Sequence, residues 1–240
     1  MPEALLQMAT LLGAPQQRYP LRDAPPPDDP LGWVTDVRFR GETVGSKKPF
    51  THRASRLRLH TARAAAPVQP RLFMMLMAEI DVAAGERDNG ESQFARLDDA
   101  IARLQSELGA AAADVLLSTL STRPISSGEP YPDEPKVEPI LTRGDDRRWK
   151  FRYWETILQL AGVDPPDEAV GVALRRFDKV LNSRAVRMEV SLGKSELVLL
   201  DNDRVAHGRK SFPAWKMDAA GNRRPSRRLL YNVHVFSDLT

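Results

Sequence analysis

Four histidines and no cysteine limit what this chain of 240 residues can do with a metal. Disulfides and cysteine-based zinc or iron–sulfur sites are excluded, and an intracellular location is expected. His60 closes the apolar alternation Leu57, Leu59 in "LRLHTARAAAP", which reads as a strand with its apolar face inward. His207 lies in "ELVLLDNDRVAHGRKSF", after a strand that ends near Asp201–Asn202, and precedes a glycine. Two strand-edge histidines far apart in sequence can converge in an antiparallel sandwich. A pair of imidazoles is a metal-ligand set that usually has a carboxylate beside it. Two residues beyond His60, where that carboxylate would stand, the chain has Ala62. Taken singly, each histidine is more often a satisfied core or surface residue, and His52 and His234 are read that way.

The elements that must position these residues follow from periodicity. Glu3–Leu12 spaces Leu5, Leu6, Met8, Leu11 and Leu12 as an amphipathic helix. Residues 13–30 form a Pro-rich, polar connector. Gly32–Phe39 and Arg56–His60 read as strands. The continuous apolar run Arg71–Ile80 reads as a strand buried on both faces. Ser92–Leu108 reads as a helix through Phe94, Leu97, Ile101, Leu104 and Leu108, and Asp114–Leu120 extends or follows it. Residues 121–148, rich in Pro, Gly and charge, read as a lid loop. "WKFRYWE" is a strand by aromatic alternation, and Asp167–Asn182 is a second amphipathic helix. Val186–Val190, Glu196–Leu200 and Leu229–Phe236 complete the strands. Many short strands with two helices predict one mostly β domain with helices (α+β), a sandwich or barrel with helices outside.

Composition narrows the partners. Apolar residues make up 42% and charged residues 28%, an ordinary globular balance. No apolar run reaches the length of a membrane span, and no signal-peptide pattern opens the sequence, so a cytoplasmic location is expected. The net charge of +3 permits an anionic partner without requiring one. Residues 203–228 hold eight Lys/Arg against two Asp. No recognition helix or stacking aromatic series accompanies them, so a nucleic-acid polymer ranks last among partners.

"LLDNDRVAHGR" followed by "SRRLLYNV", with "LHTA", "LFMMLMAEI" and "NGES" in order upstream, resembles the iron(II)- and 2-oxoglutarate-dependent oxygenases. The taurine-dioxygenase and clavaminate-synthase branch is the most similar. The resemblance covers residues 55–95 and 184–236 and implies a double-stranded β-helix, a distorted jelly-roll or cupin-like core. It also implies that Fe(II) is held by His60 and His207, with 2-oxoglutarate and O2 in the remaining positions. The far carboxylate of 2-oxoglutarate would be held by Arg227, assisted by the hydroxyl of Ser92, although Arg224 or Arg228 can do the same work.

Ala62 is the departure from the family's H-x-D/E pattern. In this superfamily Ala or Gly at that place marks the halogenases, in which chloride takes the vacated position. The resemblance therefore implies chlorination of an unactivated C–H by an iron(IV)-oxo/chloride radical mechanism, with Ala62 as the chloride-binding position. The alternatives are a 2-oxoglutarate-dependent hydroxylase with an incomplete triad, acting on a free amino acid or similar small molecule, and a binding homologue without turnover. An engineered substitution or a mis-registered motif would also explain Ala62. The branch's second, substrate-holding arginine falls here on Tyr231, so Tyr231 and Arg63 are the candidate substrate contacts. Lys47, Lys48, Arg143, Arg147 and Arg148 lean toward a phosphate-bearing nucleotide, as in a nucleoside antibiotic pathway, with a free amino acid as runner-up. Oligomeric state cannot be read from the sequence.

Overall fold

The apolar run from Leu72 to Glu79 is an eight-residue strand at the centre of the molecule, and its alternation sorts the layers around it. The computed structural model describes residues 1–16, 30–39, 54–64, 68–81, 90–126, 137–154, 168–218 and 220–237. His52, Lys47, Lys48 and most of the Pro-rich connector lie outside these ranges.

The chain opens with helix α1 (Pro2–Leu12) and strand β1 (Ala14–Pro15). A one-turn helix α2 (Pro30–Trp33) leads into β2 (Thr35–Arg38), then β3 (Leu57–His60), β4 (Leu72–Glu79) and β5 (Ser92–Arg96). Helices α3 (Leu97–Leu108) and α4 (Ala110–Thr122) follow. Next come two antiparallel pairs, β6 (Ile125–Ser126) with β7 (Val137–Glu138) and β8 (Leu141–Arg143) with β9 (Trp149–Phe151). After α5 (Glu168–Leu181) come β10 (Arg187–Val190), β11 (Leu197–Asp201) and β12 (Val205–Arg209). The pair β13 (Trp215–Met217) and β14 (Arg223–Pro225) precedes the last strand, β15 (Leu229–Phe236).

Two antiparallel sheets form the core. One runs β1–β15–β4–β11, with β2 also on β15, and the other runs β10–β5–β12–β3. Side chains alternate across a strand. Phe73, Met75 and Met77 of β4 therefore point between the sheets and meet Val37, Phe94, Leu200 and Leu230. Met74 points the other way, under α1, with Leu5, Ala9, Val233 and Val235. The outer face of the second sheet carries Leu59, Ala95 and Ala206, which pack beneath α3, α4 and α5 against Leu104, Leu120 and Phe177. Each fully buried leucine or phenylalanine among them contributes about 1.5–3 kcal/mol. This is the two-sheet α+β jelly roll that the sequence predicts.

Several boundaries differ from the periodicity. The expected helix Ser92–Leu108 is a strand as far as Arg96 and a helix only from Leu97. The three- and four-residue spacing that begins at Phe94 suits both states. The hydrogen-bond ladders to β10 and β12 on either side decide for strand. His207, read as a strand-edge residue, stands in the middle of strand β12, which follows the turn at residues 202–204. The strand expected at Gly32–Phe39 starts at Thr35, because Pro30–Trp33 makes a helical turn. "WKFRYWE" shortens to the three residues of β9. The expected lid contains strands where it is described, and residues 127–136 lie outside the described ranges.

Candidate active site

His60 and His207 are direct cross-strand partners, one at the end of β3 and the other in the middle of β12. Their ring centroids are 4.3 Å apart and tilted by 49°. Nδ1 of His60 lies 2.9 Å from the Arg58 carbonyl oxygen. A carbonyl only accepts, so that nitrogen carries the proton and the ring's lone pair sits on Nε2. His207 is buried, and its Nδ1 has no hydrogen-bond partner. Burial, then the neighbouring His60 and His234, hold its pKa well below the usual imidazole value. It is therefore neutral, the form that can donate a lone pair. The close approach of β12 to β3 also explains the glycine after His207. A Cβ at Gly208 would stand 2.8 Å from the Leu57 carbonyl oxygen.

The ring of Phe73 stacks on His207 at 4.3 Å and on His234 at 5.0 Å. His234 thus faces the space between the sheets, with Phe73 between it and the histidine pair. Burial, then the charges of Arg63 and His60, push its pKa down to about 3. Among the described residues no three His, Asp or Glu side chains form a metal-binding group. Among the described residues the site offers two imidazoles and no carboxylate.

Ala62 sits beside the pair, buried with Phe73, Met75, Phe94 and Leu230. Its backbone is held on both sides. The Ala62 N–H donates to Asn202 Oδ1 at 2.6 Å, and Asn202 Nδ2 donates to the Ala62 and Pro70 carbonyls at 3.0 and 2.8 Å. One residue earlier, the Thr61 N–H donates to the Tyr153 carbonyl at 2.7 Å, and the Tyr153 N–H donates to Thr61 Oγ1 at 3.1 Å. The Tyr153 hydroxyl donates to Asp178, which also accepts from Arg58 and Asn182. Burial, then Asp178, raise the Tyr153 pKa far above its usual value.

Asn202 was not anticipated as a site residue; its only signal was a place in the "DNDR" turn before His207. Replacing it with alanine strands three buried backbone groups, each worth about 1–3 kcal/mol. Asn202→Ala should therefore lower stability by about 3 kcal/mol or more, read as a shift in the urea midpoint at unchanged slope.

The arginines sort differently from the expectation. Arg227 is exposed, and its backbone N–H donates to Asp81 Oδ2 at 2.7 Å. Arg224 grips the same carboxylate through two bonds of 2.8 and 3.0 Å. Arg228 is buried at 3% exposure, with Nη2 donating to the Gly90 carbonyl at 3.1 Å. Burial pushes its pKa down to about 10. Alternation explains the switch. Residues 228, 230, 232 and 234 point between the sheets, and residue 227 does not. Among the described residues no carboxylate forms a salt bridge with Arg228. Ser92 is buried on β5 opposite Arg209, one step along from the Phe94–His207 pair. The structure thus brings together His60, His207, Ala62, Ser92 and Arg228, with Arg63 beside Ala62 at φ 52°. It does not bring Tyr231, which points out of the sandwich and packs with the α1 cluster.

The arginines behind the phosphate reading are used locally. Arg143 lies over the Trp149 ring at 3.6 Å and bonds the Arg147 carbonyl, while Arg148 pairs with Asp98 at 2.7 Å.

Asp81 has structural weight of its own. Its hydrogen bonds from Arg224, then that from the Arg227 N–H, take its pKa down to about 2 against burial. A carboxylate depressed in this way stabilises fully above its unfolded pKa near 3.9 and progressively less as pH falls toward 2. Asp81→Asn should cost about 2 kcal/mol at pH 7, and the gap to the wild type should narrow between pH 4 and pH 2 in acid-unfolding curves.

Comparison with known proteins follows the same lines. The model of the taurine catabolism dioxygenase TauD, TfdA family matches residues 2–231. An asparagine oxygenase in complex with Fe(II), 2S,3S-3-hydroxyasparagine and succinate is similar at 21% identity with a TM-score of 0.66. That match covers 98% of this chain and 64% of the other. The non-heme iron oxygenase OrfP, in complex with (3S)-hydroxy-L-Arg, is similar at 21% identity with a TM-score of 0.63, over 99% and 66% of the two chains. PvcB from Pseudomonas aeruginosa is similar at 17% identity with a TM-score of 0.63, over 97% and 70%. The chain spans less than two thirds of the length of the asparagine oxygenase chains. No curated protein matches. No helix among the described residues is long and apolar enough to cross a membrane.

Proposed function

The chain belongs to the TauD, TfdA dioxygenase family, and from that premise we propose that it is an Fe(II)- and 2-oxoglutarate-dependent oxidoreductase of small molecules, with the metal on His60 and His207. The observation that carries the proposal is the cross-strand pair of imidazoles, with the His60 proton fixed on Nδ1 and the buried His207 Nδ1 lacking a protein partner. A neutral His207 beside a His60 whose proton is held on Nδ1 suits a divalent iron. Bound there, Fe(II) would supply the centre at which O2 and 2-oxoglutarate are converted to succinate and CO2 as a substrate C–H is oxidised.

The chain's own groups do the positioning. Arg58 fixes the His60 ring through its carbonyl, and Phe73 fixes His207 by stacking. Arg228 and Ser92 hold the far carboxylate of 2-oxoglutarate, in place of the exposed Arg227. The apolar wall of Phe73, Met75 and Phe94 keeps bulk water from the pair. Arg63, beside Ala62, is the substrate contact that keeps its place near the site, and an acidic group such as an amino-acid carboxylate suits it. The amino-acid ligands of asparagine oxygenase and OrfP favour a free amino acid over a nucleotide and hydroxylation as the reaction.

Ala62 favours a second reading, halogenation. Its methyl group supplies no donor, so a water or a chloride must serve at that position. Its N–H is already given to Asn202, so a halide would not be bound by it. Turnover of an amino-acid panel in chloride and in halide-free buffer, with products weighed by mass spectrometry, decides between the two. A hydroxylated product independent of chloride establishes the first reading. A chlorinated product, lost in halide-free buffer and on Ala62→Asp, establishes the second. Unchanged 2-oxoglutarate under every condition would leave a binding homologue.

A further inference from the structure

Strand β3 carries His60 but is held by its own sheet on one side only. Among the described residues it is the edge strand of the order β10–β5–β12–β3, with β12 as its strand neighbour. The ladder pairs His60 with His207 and Leu57 with Arg209, and the register shifts between the two. A shifted ladder bends the strand and leaves part of it unpaired. A histidine at the end of such a strand needs a second support to keep its ring in one orientation.

That support comes from the helix layer, through one carboxylate. Asp178 of α5 accepts hydrogen bonds from Arg58 Nη2 at 3.2 Å and from the Tyr153 hydroxyl. Asn182, one helical turn further on, holds the same carboxylate through Nδ2 at 3.0 Å. Arg58 lies two residues before His60, and its carbonyl is the group that fixes His60 Nδ1 at 2.9 Å. Tyr153 is tied to Thr61, the residue after His60. The Thr61 N–H donates to the Tyr153 carbonyl at 2.7 Å, and the Tyr153 N–H donates to Thr61 Oγ1 at 3.1 Å. The Tyr153 side chain is buried and meets Phe177 edge-on at 6.0 Å, which pins it to α5. One carboxylate therefore reaches the chain on both sides of the histidine. Thr61 and Tyr153 are buried and the Asp178 side chain is 15% exposed, so water weakens these bonds little.

We propose that Asp178 is a positioning residue for the metal, which sets iron affinity from the helix layer by holding Arg58 and Thr61 on either side of His60. This rests on the metal assignment above. Asp178 does not touch the ion; it acts through the His60 ring, whose orientation the Arg58 carbonyl fixes.

The test is Fe(II) affinity by equilibrium dialysis under argon without 2-oxoglutarate, together with the d–d absorption of Co(II) bound in place of iron, which reports ligand geometry. Asp178→Ala should weaken Fe(II) binding roughly 10-fold, the lower end of what loss of an outer partner brings, and should alter the Co(II) bands. Asp178→Glu keeps a carboxylate and should restore part of the affinity. Val180→Ala removes buried packing from the same helix and leaves the partners of Asp178 in place. It should lower stability yet bind both metals as the wild type does. Wild-type affinity and unaltered Co(II) bands in Asp178→Ala, or an equal loss of affinity in Val180→Ala, would overturn the proposal. If Asp178→Ala does not fold, Asp178→Asn, which keeps the side chain's volume, decides on the same two readings. A folded wild type that binds neither metal overturns the histidine assignment itself, and this role with it.

Discussion

Replacing His207 with alanine should abolish iron-dependent conversion of 2-oxoglutarate to succinate while leaving the fold in place. In the proposed site, where the described residues offer two imidazoles and no carboxylate, each histidine would be half of what the protein gives the metal. Loss of one must exceed the roughly 10- to 100-fold drop in affinity that removal of an outer partner brings. His60→Ala should behave alike, because the two rings are direct cross-strand partners. His234→Ala should bind iron at near wild-type affinity, since Phe73 stands between His234 and the pair. Equilibrium dialysis against Fe(II) under argon checks all three. Full turnover by His207→Ala would remove the histidine pair from the mechanism.

Arg228→Ala should have the second-largest effect. Truncating one side of a buried charge pair costs about 2–5 kcal/mol, so affinity for 2-oxoglutarate should fall from roughly thirty-fold to a few thousand-fold. Iron affinity in the absence of 2-oxoglutarate should change little. Ser92→Ala removes one hydroxyl and should cost only about 0.5–1.5 kcal/mol. Arg227→Ala should be close to neutral, because that side chain lies in water. Titration of 2-oxoglutarate into each iron-loaded variant gives the ranking. An Arg227→Ala loss greater than the Arg228→Ala loss would return the anchor to the residue first expected.

The single step from 227 to 228 marks the limit of what was legible. A run "SRRLLYN" shows that an arginine opens a strand. Which arginine faces inward depends on where the strand pairs, and that is set by β2 and β4 on either side of β15. Tyr231 failed to reach the site for the same reason, being an odd-numbered residue on the outward face. The histidines were legible because a strand's polar interruption within an apolar alternation is a local signal. Their pairing was not, since no strand was read between Leu200 and Leu229, where β12 lies. Nor was the role of Asn202, whose bonds to Ala62 span 140 residues of sequence. The strand β5 was concealed by a chance helical spacing that its two neighbours override. What could be read locally was read correctly for α1, β4, α5 and β15.

The central claim is that a two-histidine iron site on this chain turns over 2-oxoglutarate. The most direct measurement is succinate formed on admitting air to folded wild-type protein loaded anaerobically with Fe(II), 2-oxoglutarate and a mixture of free amino acids. The account predicts succinate that requires iron and disappears in His60→Ala and His207→Ala alike. Folded wild-type protein that binds no Fe(II) and forms no succinate above the protein-free control would contradict it.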